Sequence, residues 1–320
     1  MCPRSTPALF AFLLVTGALL QAQQPGAALK SPSQTTSPGG SNIPTEPEEN
    51  ESSPEPSVAD AIPSPNSQIK AALVVLTNVL EQYRRSGDRI GEAGTLCAVA
   101  NSYNALGQQQ RAIEQFQLAL TIFRQTSGHV EDEARTLSHI GDVYREWGFP
   151  EQSVRFYRDA LAIYAHINDT VGKSVALNNL GVAYLSLRDK KKSVEYLKQA
   201  LVSYRASGDR RAVALTLNNL GMAYNMLAND SQKALDYFQE SMTELQLIDD
   251  RDSQGVVLDN IGALCIKLGQ KEMAEVSFDR ALQLFRRTGD SEGQARVQKH
   301  LRMLSESATL ASKPPNPSAD

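Results

Sequence analysis

Apolar positions in residues 170–209 fall into two groups at helical spacing. A polar break at Arg188–Lys190 separates them, and Ser207-Gly208-Asp209 closes the stretch. This pattern predicts two amphipathic helices. Near-copies precede and follow at a pitch of about 40 residues. A single copy cannot bury its apolar face alone, so the copies must stack.

The first helix of each copy aligns on a small residue: Ala100, Gly141, Gly181, Gly221 and Gly262. Four residues earlier stand Leu96, Leu137, Leu177, Leu217 and Leu258. One residue earlier stand Val99, Ile140, Leu180, Leu220 and Ile261. Three later come Tyr103, Tyr144, Tyr184, Tyr224 and Cys265. These offsets share one helical face, and the small residue admits a close neighbour. The second helix alternates small, large and small at i, i+4 and i+7, as in Ser193, Leu197 and Ala200 or Ala234, Phe238 and Ser241. The two patterns predict an interlocking seam.

Leu177-x-x-Leu180-Gly181-x-x-Tyr184 followed by Ser193-x-x-x-Leu197-x-x-Ala200 resembles the tetratricopeptide repeat, with Leu where Trp is frequent. The resemblance implies an all-α, right-handed superhelical α-solenoid of helix pairs. Its pitch exceeds the usual 34 residues, as in the long repeats of kinesin light chain, G-protein-signalling modulators and bacterial peptidase-associated arrays. The proline that usually ends the second helix is missing. Gly87, Gly128, Asn168, Gly208, Asp249 and Gly289 are expected to end helices in a left-handed cap. The expected units are a half-repeat at 68–87, repeats at 88–128, 129–168, 169–208, 209–249 and 250–289, and a capping helix at 290–306. One extra residue lengthens the turn at Asn229–Ser231.

The ends differ in composition. Residues 1–22 read as a secretory signal peptide, with Arg4 before an apolar run at residues 8–20. Residues 23–67 are rich in Pro, Ser and Thr, with too few large apolar groups to offset ordering entropy, and are expected to form a disordered linker. A similar tail covers residues 307–320. The expectation is an exported protein, periplasmic or extracellular, with no membrane span after cleavage. Net charge is −4 and the pI about 5.7, which gives no electrostatic case for nucleic acid. Cys97 and Cys265 lie in the first and last repeats, several helices apart, so neither a disulfide nor a zinc site between them is expected.

Catalytic and cofactor patterns fail on spacing. Gly172-Lys173-Ser174 copies the tail of a phosphate loop, but Ile167 stands where its earlier glycine is required and no strand precedes it. Ser138, His139 and Asp142 are too close on one helix to converge as a triad. His129 with Glu131, Asp132 and Glu133 stands at a helix start, where acids favour the dipole. No catalytic residue, cofactor or metal is expected.

The first-helix face opposite the seam is expected to line the concave groove and hold a peptide or protein partner. It carries Arg135, His139 and Asp142, with Arg145 at its edge, in the second repeat. Asn178, Asn179 and Val182 follow in the third, Asn218, Asn219, Met222 and Asn225 in the fourth, and Asp259 and Asn260 in the fifth. Val175, Leu215 and Val256 would extend an apolar strip along it, partly buried by curvature. Asn179, Asn219 and Asn260 share one register position. Asn is a mediocre helix former, so the row predicts either a clamp on a ligand's main chain or a hydrogen bond to the neighbouring repeat. The resemblance implies the clamp. The reading is therefore a non-enzymatic interaction scaffold. The alternative is a regulatory or adaptor module whose catalytic domain, for example a peptidase, has been lost or is encoded separately.

Overall fold

The computed structural model describes residues 64–226 and 230–311. The expected signal peptide, almost all of the expected linker, residues 312–320 of the expected tail, and part of the lengthened turn before Ser231 lie outside them. Twelve helices occupy the described residues: α1 (Pro65–Ser86), α2 (Arg89–Ala105), α3 (Gln109–Gln125), α4 (Val130–Glu146), α5 (Pro150–His166), α6 (Thr170–Ser186), α7 (Lys190–Ser207), α8 (Arg210–Asn225), α9 (Ser231–Leu247), α10 (Arg251–Lys267), α11 (Lys271–Thr288) and α12 (Ser291–Ala311). Each packs on its sequence neighbours, which makes an all-α helical-repeat solenoid.

Local chemistry fixes the helix ends. Asp88, Asp169, Asp209, Asp250 and Asp290 accept backbone N–H groups at the starts of α2, α6, α8, α10 and α12, satisfying donors that the helix leaves open. All six residues expected in left-handed caps have positive φ. The turns inside the repeats use the same device at Gly107, Gly148, Arg188 and Gly269. Ser64 accepts from Ser67 N at 3.3 Å, so α1 starts at Pro65, ahead of residue 68. At the other end α12 runs on to Ala311, beyond residue 306, because no proline interrupts the chain before Pro314.

The seam forms as the alternation requires. A Cβ at Gly141, Gly181, Gly221 or Gly262 would sit 2.5–2.6 Å from Tyr157, Leu197, Phe238 or Phe278. Those four partners are wholly buried. A second seam joins successive repeats, where Gly91, Gly172 and Gly293 meet the rings of Tyr83, Tyr164 and Phe285. First helices of adjacent repeats also touch one another, α4 on α6, α6 on α8, α8 on α10 and α10 on α12. Second helices make no comparable contact among the described residues. The first helices therefore occupy the inner side of the curve, and their outward face lines a groove.

Candidate functional site

Three successive hydrogen bonds run between first helices in one register. Asn219 Nδ2 donates to Asn178 Oδ1 at 3.5 Å, Asn260 Nδ2 to Asn218 Oδ1 at 2.8 Å, and His300 Nδ1 faces Asp259 Oδ1 at 2.8 Å. Thr216 adds a bond to Asn178 Oδ1 at 3.3 Å, and Arg296 one to Asp259 Oδ2 at 2.8 Å. Asn218 and Asp259 are 6% and 5% exposed. They hold adjacent repeats together and are not open to a ligand, although their wheel positions placed them on the groove face. Packing of one first helix on the next closes over them, which a wheel for a single helix cannot show. Asn178 is half-buried and engaged in the same way.

The charged residues of the second repeat are also satisfied internally. Tyr157 donates to Asp142 Oδ1 at 2.6 Å, and Asn179 reaches the same atom at 3.4 Å. Burial, then the Asp142 carboxylate and its hydrogen bond, push the Tyr157 phenol well above its ordinary range. Arg145 pairs with Glu146 at 3.2 Å, and its positive charge lies close enough to pull the Tyr157 phenol the other way. His139 stacks on Phe116, with ring centroids 5.7 Å apart, and lies 3.8 Å from Asp142. Arg135 pairs with Asp132 and Glu131. Ser138 is buried and donates to the Ala134 carbonyl, so it presents no free nucleophile. The acids near His129 are engaged too, Asp132 with His129 and Arg135, and Glu133 with Arg124. No group of three metal-ligating side chains stands together among the described residues.

The groove opens at the third to fifth repeats. A cavity of about 410 Å³ is lined by Val182, Leu185, Ser186, Asn219, Met222, Asn225, Met226, Phe238, Asn260 and Ala263. It gathers five residues expected from sequence: Val182, Asn219, Met222, Asn225 and Asn260. Phe238 was not expected there, because its position in the repeat belongs to the seam, and Leu185, four residues after Gly181, stands between the seam and the groove face. Asn219 and Asn260 each donate one N–H to the repeat behind, while each Oδ1 takes no protein donor among the described residues. The carboxamides are thus pinned with an acceptor and a second N–H to spare. Beside the cavity, Val175, Leu215, Met222 and Val256 are 37–40% exposed. The apolar strip exists, partly covered by curvature. Among the described residues no charged one lines the cavity, and Lys267 near its end is tied to the Asn225 carbonyl.

The tetratricopeptide repeat family matches residues 93–166, 132–206 and 172–243, and again residues 257–288. The chain is a tetratricopeptide repeat protein. Solved structures share the fold at low identity. BtubC (BKLC) from P. vanneervenii superposes with a TM-score of 0.60 at 19% identity, over 79% of this chain and 96% of that one. The apo form of RapI gives 0.61 at 17% identity, over 77% and 94%. A Rap protein complexed with Competence and Sporulation Factor gives 0.53 at 16% identity, over 76% and 71%. No curated protein sequence matches the chain. In this tetratricopeptide array no helix among the described residues is long and apolar enough to cross a membrane.

Proposed function

We infer that the array is a non-catalytic scaffold that holds an extended peptide or protein segment in the groove of its third to fifth repeats. The cavity beside Asn219 and Asn260 carries this reading. Its apolar wall suits one aliphatic side chain, and the pinned carboxamides can meet the adjoining main chain with an acceptor and a donor. The Rap protein complexed with Competence and Sporulation Factor, which shares this fold, supports it. Residues 1–22 support export, as an apolar run behind Arg4, and N-terminal sequencing of the mature protein tests that part.

A photo-crosslinker placed at Met222 should capture the partner in the native envelope fraction, while one at Leu118 on α3 should not. With that partner purified, Asn219→Ala should weaken binding about tenfold, since a lost buried hydrogen bond costs roughly 1–3 kcal/mol. Its stability should hardly change, because the bond to Asn178 is long at 3.5 Å and Ala favours helix. Met222→Glu should abolish binding. Equal capture from both positions, or full affinity in Met222→Glu, would remove the groove from the function.

A further inference from the structure

The edge formed by the turns within repeats carries a second built site. Trp147, the one Trp of the chain, lies in the turn between α4 and α5 and is 39% exposed, beside Phe149 at 42%. Phe149 sets its ring edge on the indole at 5.1 Å and 78°. Tyr144 backs the indole at 6.4 Å and itself stacks on Phe156 at 5.3 Å. The exposed ring is therefore held by packing. Across a cavity of about 470 Å³ stands the preceding repeat's turn, from Gly107 through three Gln residues to Arg111. Arg111 donates to Gln108 Oε1 at 2.9 Å and lies over the Tyr103 ring at 5.8 Å, with no carboxylate partner among the described residues. The site thus offers an indole face, neutral amides and one cation without a carboxylate partner among the described residues.

Proline rings are compact, apolar and without an N–H, and aromatic grooves recognise them. The chain carries such a segment. Between residues 44 and 63 stand Pro44, Pro47, Pro54, Pro56 and Pro63, with six acidic residues and no basic one. Topology brings it to the right edge. Second helices all begin at the turns within repeats, and α1 is a second helix, so the chain enters the fold at Pro65 on this same edge. Trp147 lies two repeats further along. Packed helices stand about 8–10 Å apart and α4 is three packings from α1, so the span is at most about 30 Å, and an extended proline-rich chain covers about 3.1 Å per residue. The residues around Pro54 and Pro56 reach it. We propose that Trp147, Phe149 and Arg111 form a docking site for the chain's own acidic, proline-rich segment 44–63. Arg111 supplies charge complementarity, and the docked segment covers the exposed aromatic edge while leaving the concave groove open.

Because Trp147 is the one Trp, its fluorescence reads this site alone. The full chain is compared with a variant lacking residues 44–60, their helical circular dichroism signals being matched first. The deletion should red-shift Trp147 emission and increase quenching by acrylamide, and added peptide 44–63 should reverse both. Arg111→Glu in the full chain should shift emission the same way, yet leave the deleted chain unchanged. Identical emission and quenching in the full and deleted chains would overturn the proposal. A signal that fades on dilution would also overturn it, by placing the segment on a second copy.

Discussion

Two glycine substitutions should move stability in opposite directions. Gly181 faces Leu197, and a Cβ there would lie 2.5 Å from Leu197 Cγ and 3.2 Å from its backbone N. The side chain is wholly buried, and its backbone cannot swing aside, so the two helices must separate. Overpacking of this kind costs about 1–3 kcal/mol. Ala is better than Gly in a helix by about 1 kcal/mol, so Gly181→Ala should lose on the order of 0–2 kcal/mol net. Gly94 in α2 is helical too, yet nothing lies within 4 Å of its added Cβ. Gly94→Ala should keep the helix gain, about 1 kcal/mol. Urea titrations followed by circular dichroism measure both, with slopes compared because a repeat array need not unfold in one step. Gly181→Leu should fall well below Gly181→Ala. A Gly181→Ala midpoint raised as far as that of Gly94→Ala would refute the seam.

Asn218→Ala should lower stability by roughly 1–3 kcal/mol, as a buried acceptor of Asn260 is lost, while partner affinity per folded molecule falls less than in Asn219→Ala, since the Asn260 amide loses its anchor but remains. The backbone N–H of Lys192 holds the Asp189 carboxyl below its usual range, and the Lys190 ammonium does the same for Asp230. Both groups contribute fully above the unfolded carboxylate value near 4, and the contribution is lost as pH falls through their lower folded values. Melting temperature should therefore be level above about pH 5 and drop below about pH 4, less steeply in Asp230→Asn. Burial pushes the Cys97 thiol up to about 11, so alkylation at pH 8, mapped by mass spectrometry, should spare Cys97 in the native protein and label it in denaturant.

The architecture was legible because it is written five times. The Leu–Leu–Gly–Tyr face and the small–large–small face recur in register, and the left-handed ends announce themselves at Gly87, Gly128 and Gly208. The groove was legible only in part. Asn219, Asn260 and Met222 could be placed by a wheel, since their face is opposite the seam. Asn218 and Asp259 could not, since their burial depends on how closely one first helix approaches the next. Phe238 lines the cavity from beneath, a role that a seam residue acquires only through curvature. The pairing of Tyr184 with Tyr196, at 5.6 Å and 2°, likewise joins two helices that no single-helix pattern relates.

The last rung of the inter-helix ladder bears on how this array can grow or shrink. From the third to the fifth repeat, an Asn of one repeat meets an Asn of the one before, so a repeat inserted there that kept both amides would find neutral partners on either side. The final rung is different in kind: Asp259 is buried and meets Arg296 and His300 of α12. A sixth repeat spliced in after α11 would offer Asp259 an amide in place of Arg296 and His300, and a buried carboxylate stripped of its partners is strongly destabilising. The charge change acts as a stop mark. An insertion after α11 should therefore cost more stability than one between the third and fifth repeats.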